Sequence, residues 1–94
     1  MAQQFVVVAY DVPDDRRRQK LHDALLDYGT AVQYSVFECL LGKKELARMK
    51  GQIRRIISPR LDHVRTYYLC GACVKRIEST KGPEVAHEVD VVVV

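Results

Sequence analysis

This sequence has little of what marks a secreted, membrane-spanning or disordered chain. It contains only three cysteines in 94 residues, and so small and odd a number argues against a disulfide framework. No apolar run approaches the roughly 20 residues that a membrane-spanning helix needs. The first residues lack the basic and apolar segments of a secretory signal. We therefore expect a cytoplasmic protein in a reducing environment, with no membrane contact.

Internal repeats, low-complexity segments and linkers are also missing, and 94 residues are too few for two ordinary domains. The composition that is present, 48% hydrophobic and 29% charged residues, is that of a folded domain and excludes intrinsic disorder. The formal net charge of +3 is compatible with nucleic-acid binding, although many enzymes carry as much. We predict a single domain over residues 1–94.

The first half of the hydrophobic pattern predicts a strand followed by a helix. Residues 5–10 (FVVVAY) form an uninterrupted apolar strand. In residues 16–28 apolar side chains recur at the i, i+3, i+4, i+7 spacing of an amphipathic helix. Gly29 follows, and we predict that it caps this helix in the left-handed conformation.

The second half predicts further strands around another helix. Residues 32–41 (VQYSVFECLL) predict two strands, or one bulged strand, with a break near residues 34–35. Four apolar residues at helical spacing, opposite a basic face, then predict a second helix: Leu46, Met49, Ile53 and Ile56. Three later β-prone stretches are predicted strands: residues 63–69, 74–78 and 89–94.

The resulting order, βαββαβ with C-terminal additions, is that of the ferredoxin-like fold, an α+β two-layer sandwich. Its helices cover one face of the sheet, yet residues 5–10 lack the polar alternation of a strand with one solvated face. We therefore expect a two-fold homodimer in which the helix-free sheet faces pack together. The tail, from about residue 82 to residue 94, is predicted to pack on the partner subunit.

Asp11 is the first candidate for chemistry, because it directly follows the buried strand. A carboxylate at this position can bind a hard cation such as Mg²⁺, which takes one or two carboxylates and keeps several waters. The alternative is that Asp11 only accepts hydrogen bonds in the turn around Pro13. Spacing alone favours this structural role.

A basic cluster comes next, in the first turns of the predicted helix. It consists of Arg16, Arg17, Arg18 and Lys20. Cations at a helix N-terminus oppose the macrodipole, so their presence there suggests contacts with phosphate groups. The alternative is a solvated face with local ion pairs, for which neighbouring aspartates are available.

Cys70 and Cys73 form an isolated CxxC pair. A structural zinc site needs a second pair of ligands, which the scattered His22, His63 and His87 do not supply. The spacing therefore favours free thiols over a metal or redox site. The chain also lacks the motifs of serine hydrolases, P-loop proteins and dinucleotide-binding proteins.

Two segments together resemble a known family. Residues 9–18 (AYDVPDDRRR) and residues 32–41 are similar to the small CRISPR-associated endoribonucleases, which partner the CRISPR integrase in spacer acquisition. The resemblance covers nearly the whole chain. It implies a ferredoxin-like homodimer that hydrolyses phosphodiester bonds of RNA or duplex DNA with Mg²⁺, or with Mn²⁺ as a substitute. It also implies a complex with the integrase, a heterotetramer or larger.

The resemblance implies roles for individual residues as well. Asp11 matches the catalytic, metal-binding aspartate, which each subunit contributes to the dimer cleft. Tyr10 matches the residue before it, Arg18 a phosphate-contacting position, and Phe37 the aromatic residue of the second motif. Ala31 is a departure, because many members have arginine there. If that arginine binds phosphate, cleavage is weaker in this chain.

Three other functions compete with the nuclease. A non-catalytic dimeric scaffold would bridge the integrase and duplex DNA. A toxin-like mRNA nuclease would share the fold and Asp11, whereas a ferredoxin-like metabolite sensor would explain neither Asp11 nor the arginines. Replacing Asp11 separates the scaffold from the nuclease, since a scaffold keeps integrase binding and spacer acquisition without cleavage.

Overall fold

A computed structural model describes residues 3–86 of the chain. Its elements are β1 (Gln4–Asp11), α1 (Asp15–Leu25), β2 (Gly29–Gln33), β3 (Val36–Leu41), α2 (Lys43–Ile56), β4 (His63–Leu69) and α3 (Gly71–Val74). The strands form one antiparallel sheet in the order β2–β3–β1–β4. This order, with α1 and α2 contributing to one core against the sheet, confirms the predicted ferredoxin-like fold.

Alternate side chains of β1 lie on opposite faces of the sheet. Val6, Val8 and Tyr10 are buried in the core that α1 and α2 share with β3. Because side chains alternate along a strand, Val7 and Asp11 lie on the opposite face, which we call the distal face. Its other β1 residues are Phe5 and Ala9. Val7 and Ala9 are only half-buried in the single chain, so the apolar run is covered fully on one face only.

The predicted break in the second β-rich segment is confirmed. Tyr34 and Ser35 form a turn between β2 and β3, and the pairing register of these strands shifts between Ala31 and Gln33. The backbone N–H of Tyr10 donates to the Ser35 carbonyl oxygen at 3.0 Å. This hydrogen bond fixes the turn against the end of β1.

The predicted role of Gly29 is wrong. The cap residue of α1 is Leu26 in the right-handed conformation, and Gly29 is the first residue of β2, without a positive φ. Glycine is required there for a different reason. A Cβ atom on Gly29 would lie 2.5 Å from Cys39 Sγ and still closer to the Glu38 carbonyl oxygen.

α2 and β4 match their predictions, and α2 ends before the Ser58–Pro59 pair. The strand predicted over residues 74–78 is wrong. The backbone N–H of Val74 instead donates to the Cys70 carbonyl oxygen at 3.0 Å, and the chain after β4 forms the short helix α3. The strand predicted over residues 89–94, and most of the predicted tail, lie outside the described residues. Between residues 3 and 86, no helix has the length and hydrophobicity needed to cross a membrane.

Candidate metal and nucleic-acid site

Asp11 lies at the mouth of a shallow depression on the distal face. It is exposed, it is the last residue of β1, and it pairs with His63 at the start of β4. Two positions earlier, Ala9 pairs with Arg65. The depression has a volume of about 320 Å³ and is lined by these four residues and Tyr10. A carboxylate, an imidazole and a guanidinium group therefore share one small surface.

The Asp11 carboxylate has no hydrogen bond or ion pair within residues 3–86. The structural role considered for it, accepting hydrogen bonds in the turn near Pro13, is therefore absent. A free carboxylate suits Mg²⁺, which binds one or two protein carboxylates and retains water. No group of three or more metal-ligating side chains occurs in the described part of the chain. Within the described residues, one subunit therefore lacks a three-ligand set, and Asp11 is the carboxylate that it brings to the depression.

Tyr10 and Phe37 support the end of β1 from the core side. Phe37 is completely buried, and its ring centroid lies 6.4 Å from that of Tyr10 and 5.3 Å from that of His22. Burial raises the pKa of the Tyr10 hydroxyl, as does Tyr34, while Arg18 opposes the shift. Phe37 therefore packs in the core and does not reach the depression.

Arg17 is bound to a distant carboxylate. Its Nε and Nη2 atoms donate to the two oxygens of Asp62 at 2.8 and 3.0 Å. The Asp62 side chain is fully buried and also accepts from the backbone N–H of Ser58 at 2.7 Å. The Arg17 hydrogen bonds, followed by that of Ser58, hold the pKa of Asp62 below its usual value. Arg17 thus links α1 to the loop before β4.

Arg18 is held by local contacts. Its Nη1 atom donates to the carbonyl oxygen of Val12 at 2.9 Å, and its Nη2 atom pairs with Asp15. Asp14 caps α1 by accepting from the backbone N–H of Arg17 at 2.8 Å. The alternative interpretation of the basic cluster, local ion pairs, therefore accounts for this part of it.

Arg16 and Lys20 differ from these two arginines. Both are exposed, and neither side chain makes a hydrogen bond or ion pair with another residue in the range 3–86. They are the members of the predicted cluster whose charges are available to phosphate. Sequence reasoning did not group His63 and Arg65 with Asp11, because their proximity depends on the register between β1 and β4.

Ala31 is half-buried, packs against the core and pairs with Phe37. It lies on the face of the sheet opposite to Asp11, since Phe37 is in turn paired with Val8. The departure noted in the sequence therefore removes no side chain from the depression on the distal face.

Comparison with known proteins gives a consistent result. A family model described as "CRISPR associated protein Cas2" matches residues 4–77. A curated relative, CRISPR-associated endoribonuclease Cas2 3 of Synechocystis sp., is 44% identical over 72 residues, which are 77% of this chain and 78% of that protein.

Solved structures agree. The crystal structure of Streptococcus pyogenes Cas2 at pH 6.5 aligns with a TM-score of 0.73 and 32% identity, covering 82% of this chain and 99% of that one. A chain of a partial Cas6-RT-Cas1–Cas2 complex aligns with a TM-score of 0.67 and 28% identity, covering 90% and 99% of the two chains.

Proposed function

The chain belongs to the CRISPR-associated Cas2 family, and from this we infer that it is an endoribonuclease that acts in CRISPR adaptation. We propose that two copies form the active unit and that each contributes Asp11 to a shared Mg²⁺ site. The observation that carries the proposal is the exposed Asp11 carboxylate, which no other group within residues 3–86 engages.

The groups around Asp11 suit a phosphodiester substrate. When bound, Mg²⁺ polarises the phosphoryl group and activates water. The Asp11 carboxylates would hold the ion in the cleft between the two subunits. Arg65, in the same depression, would bind an adjacent phosphate, and its guanidinium is oriented by a hydrogen bond to the Tyr67 hydroxyl at 3.2 Å.

The distal face supports the proposed homodimer. Its centre carries Val7, which is half-buried in one chain, and Tyr67, which is 47% exposed. The register also places Val36 and Leu40 of β3 on this face. A second copy packed there would remove these apolar side chains from water. It would also bring two Asp11 carboxylates to one cleft.

Backbone recognition is the mode of binding that the basic residues favour. Arg16 and Lys20 are free charges, and charge neutralisation of phosphates gives affinity without base specificity. We therefore expect cleavage of single-stranded RNA with little sequence preference. The Synechocystis relative is named an endoribonuclease, which favours RNA over duplex DNA as the substrate.

A scaffold role is the second candidate. The chain is similar to a subunit of a solved complex whose name includes Cas1 and Cas2. On this likeness we propose that the dimer also binds the CRISPR integrase and holds duplex DNA on its basic surface. In this proposal the two roles use different groups: cleavage uses the Asp11 carboxylate, whereas integrase binding is expected without it.

Replacement of Asp11 by asparagine tests the nuclease. Asp11→Asn keeps the size of the side chain and removes the charge that would bind Mg²⁺. We expect cleavage of labelled single-stranded RNA, measured across a Mg²⁺ and Mn²⁺ titration, to fall by at least about 10–100-fold, the loss that removal of even an outer-shell partner of a metal ligand typically causes. Asp27→Asn is the matched control, since Asp27 is exposed and its carboxylate has no partner within residues 3–86.

The same variant separates the two roles. Retained integrase pull-down and spacer acquisition by Asp11→Asn, together with lost cleavage, would assign adaptation to the scaffold. Undiminished cleavage by Asp11→Asn would contradict the proposed metal site. Failure of the wild-type protein to bind the integrase would contradict the scaffold role.

A further inference from the structure

The two cysteines after β4 lie within reach of each other. Cys70 Sγ and Cys73 Sγ are 3.4 Å apart, and both residues are exposed. A disulfide bond requires about 2.0 Å between the sulfur atoms. The two sulfur atoms therefore need to approach each other by only about 1.4 Å. The pair is therefore arranged for an intramolecular disulfide.

The third cysteine provides a contrast within the same chain. Cys39 lies on β3, which is between β1 and β2 in the sheet, and its side chain is buried in the core. Burial, with a smaller contribution from Glu38, raises the pKa of the Cys39 thiol to about 11. This thiol is therefore protonated at neutral pH and shielded from reagents in solution.

The two exposed thiols are not equivalent. The Cys73 backbone N–H, and then the Cys73 thiol, lower the pKa of Cys70. The same contact with Cys70 raises the pKa of Cys73. Because the thiolate is the nucleophile in disulfide exchange, Cys70 is the sulfur that attacks first.

We propose that Cys70 and Cys73 form a thiol–disulfide redox site whose substrates are low-molecular-weight disulfides such as oxidised glutathione. This site is separate from Asp11 and does not depend on the proposed nuclease. The Cys70 thiolate attacks one sulfur of the small disulfide, forms a mixed disulfide and releases one thiolate. The Cys73 thiolate then attacks the Cys70 sulfur and displaces the second. Two electrons pass from the protein to the small disulfide, which becomes two thiols.

Mass spectrometry of the protein titrated with oxidised glutathione tests the proposal. After an acid quench, we expect the wild-type protein to have lost two hydrogens and to retain no glutathione. In Cys73→Ser, the reaction should stop with one glutathione on Cys70. In Cys70→Ser, the disulfide should not form. Both substituted side chains are exposed, and circular dichroism checks that the variants are folded.

Alkylation rates give an independent measurement. In the reduced wild-type protein at about pH 8, Cys70 should react with iodoacetamide about 100-fold or more faster than Cys39, as their thiolate fractions require. Cys70 should also react faster than Cys73, and equal rates at these two thiols would overturn the assignment of Cys70 as the nucleophile. Disulfides between chains, or a wild-type protein that keeps both thiols at excess oxidised glutathione, would overturn the proposal.

Discussion

At the scale of single residues, Asp62 is the one charged side chain within residues 3–86 that is buried. A buried carboxylate is tolerated only when its oxygens are bonded. Arg17 and the Ser58 backbone N–H supply those bonds. Arg17 and Asp62 are 45 positions apart in the sequence, which explains why the sequence pattern did not indicate the contact.

This environment predicts how stability depends on pH. The pKa of Asp62 is lower in the folded protein than its ordinary value of 3.8, chiefly because of Arg17. Its stabilising contribution is therefore complete above that ordinary value and is lost as the pH falls through the folded pKa. Asp62→Asn should lower the Tm by several degrees at neutral pH and flatten its decrease in acid. Thermal unfolding followed by circular dichroism across this range measures both effects.

Asp27→Asn serves as the control for this prediction, because it removes one carboxylate that has no partner within residues 3–86. Its Tm profile should follow that of the wild-type protein. A variant at Asp62 with an unchanged profile would show that the Arg17 contact adds nothing to stability.

The basic cluster gives a second prediction at this scale. Arg16→Gln with Lys20→Gln removes the two free charges, so affinity for single-stranded RNA should fall. The slope of log affinity against log salt concentration should decrease by about 0.7 for each lost phosphate contact. Fluorescence anisotropy at several salt concentrations measures the slope. Lys44→Gln, an exposed change on α2, is the control, and equal slopes for the two variants would contradict the prediction.

Single residues show what the sequence could and could not reveal about the site. Asp11 was predicted from its position after a buried strand, and the structure places it at the exposed end of β1. By contrast, nothing in the sequence indicated that His63 and Arg65 lie beside Asp11. Strand order follows from the pattern of elements, but the partner of each residue depends on packing between distant segments.

At the scale of elements, β2 and α2 contain glycines in opposite situations. A Cβ at Gly29 would collide with the backbone of β3, whereas at Gly51 it would lie 3.6 Å from Arg55 Nη1, an ordinary contact. Gly29→Ala should therefore destabilise the protein by about 1–3 kcal/mol through overpacking. Gly51→Ala should stabilise it by about 0.5–1 kcal/mol, because glycine is unfavourable inside a helix.

Urea denaturation of both variants measures these free energies of unfolding. The opposite signs are the important result. If Gly29→Ala were neutral, β2 would have to shift away from Glu38 at little cost, and the close approach of the two strands would not be a constraint.

The elements with strong periodicity were predicted well. α2 has a regular apolar face, and β4 was predicted with its observed bounds. The errors at Gly29 and residues 74–78 have a common cause. In both places the residue types fit more than one local structure. Contacts with β3 decide the outcome in the first case, and the hydrogen bond from the Val74 N–H to the Cys70 carbonyl oxygen decides it in the second.

At the scale of the whole molecule, the distal face determines the proposed assembly. Val7 lies there opposite Glu38 on β3. Burial raises the pKa of Glu38, and this carboxylate offers a counter-charge to a lysine at position 7. Val7→Lys should therefore keep the subunit folded while adding a charge at the centre of the interface, so that the dimer dissociates and RNA cleavage is lost.

Light scattering of the purified variant gives its molecular mass directly. The control is Ala47→Lys, which adds the same charge at an exposed position of α2 and should leave the mass of a dimer. A dimer that persists in Val7→Lys, or a wild-type protein with the mass of one chain, would contradict packing through the distal face.

The two borders of the sheet have unequal capacity to accept another strand. β2 is a border of five residues interrupted by a shift of register, whereas β4 is a border of seven residues that pairs with β1 without irregularity. Irregular, short borders resist further pairing. Within residues 3–86, β4 is therefore the border along which we expect a further strand to join. Pairing of β4 with β4 of a second copy would occupy that border in both copies, which yields a closed pair instead of a continuous fibre.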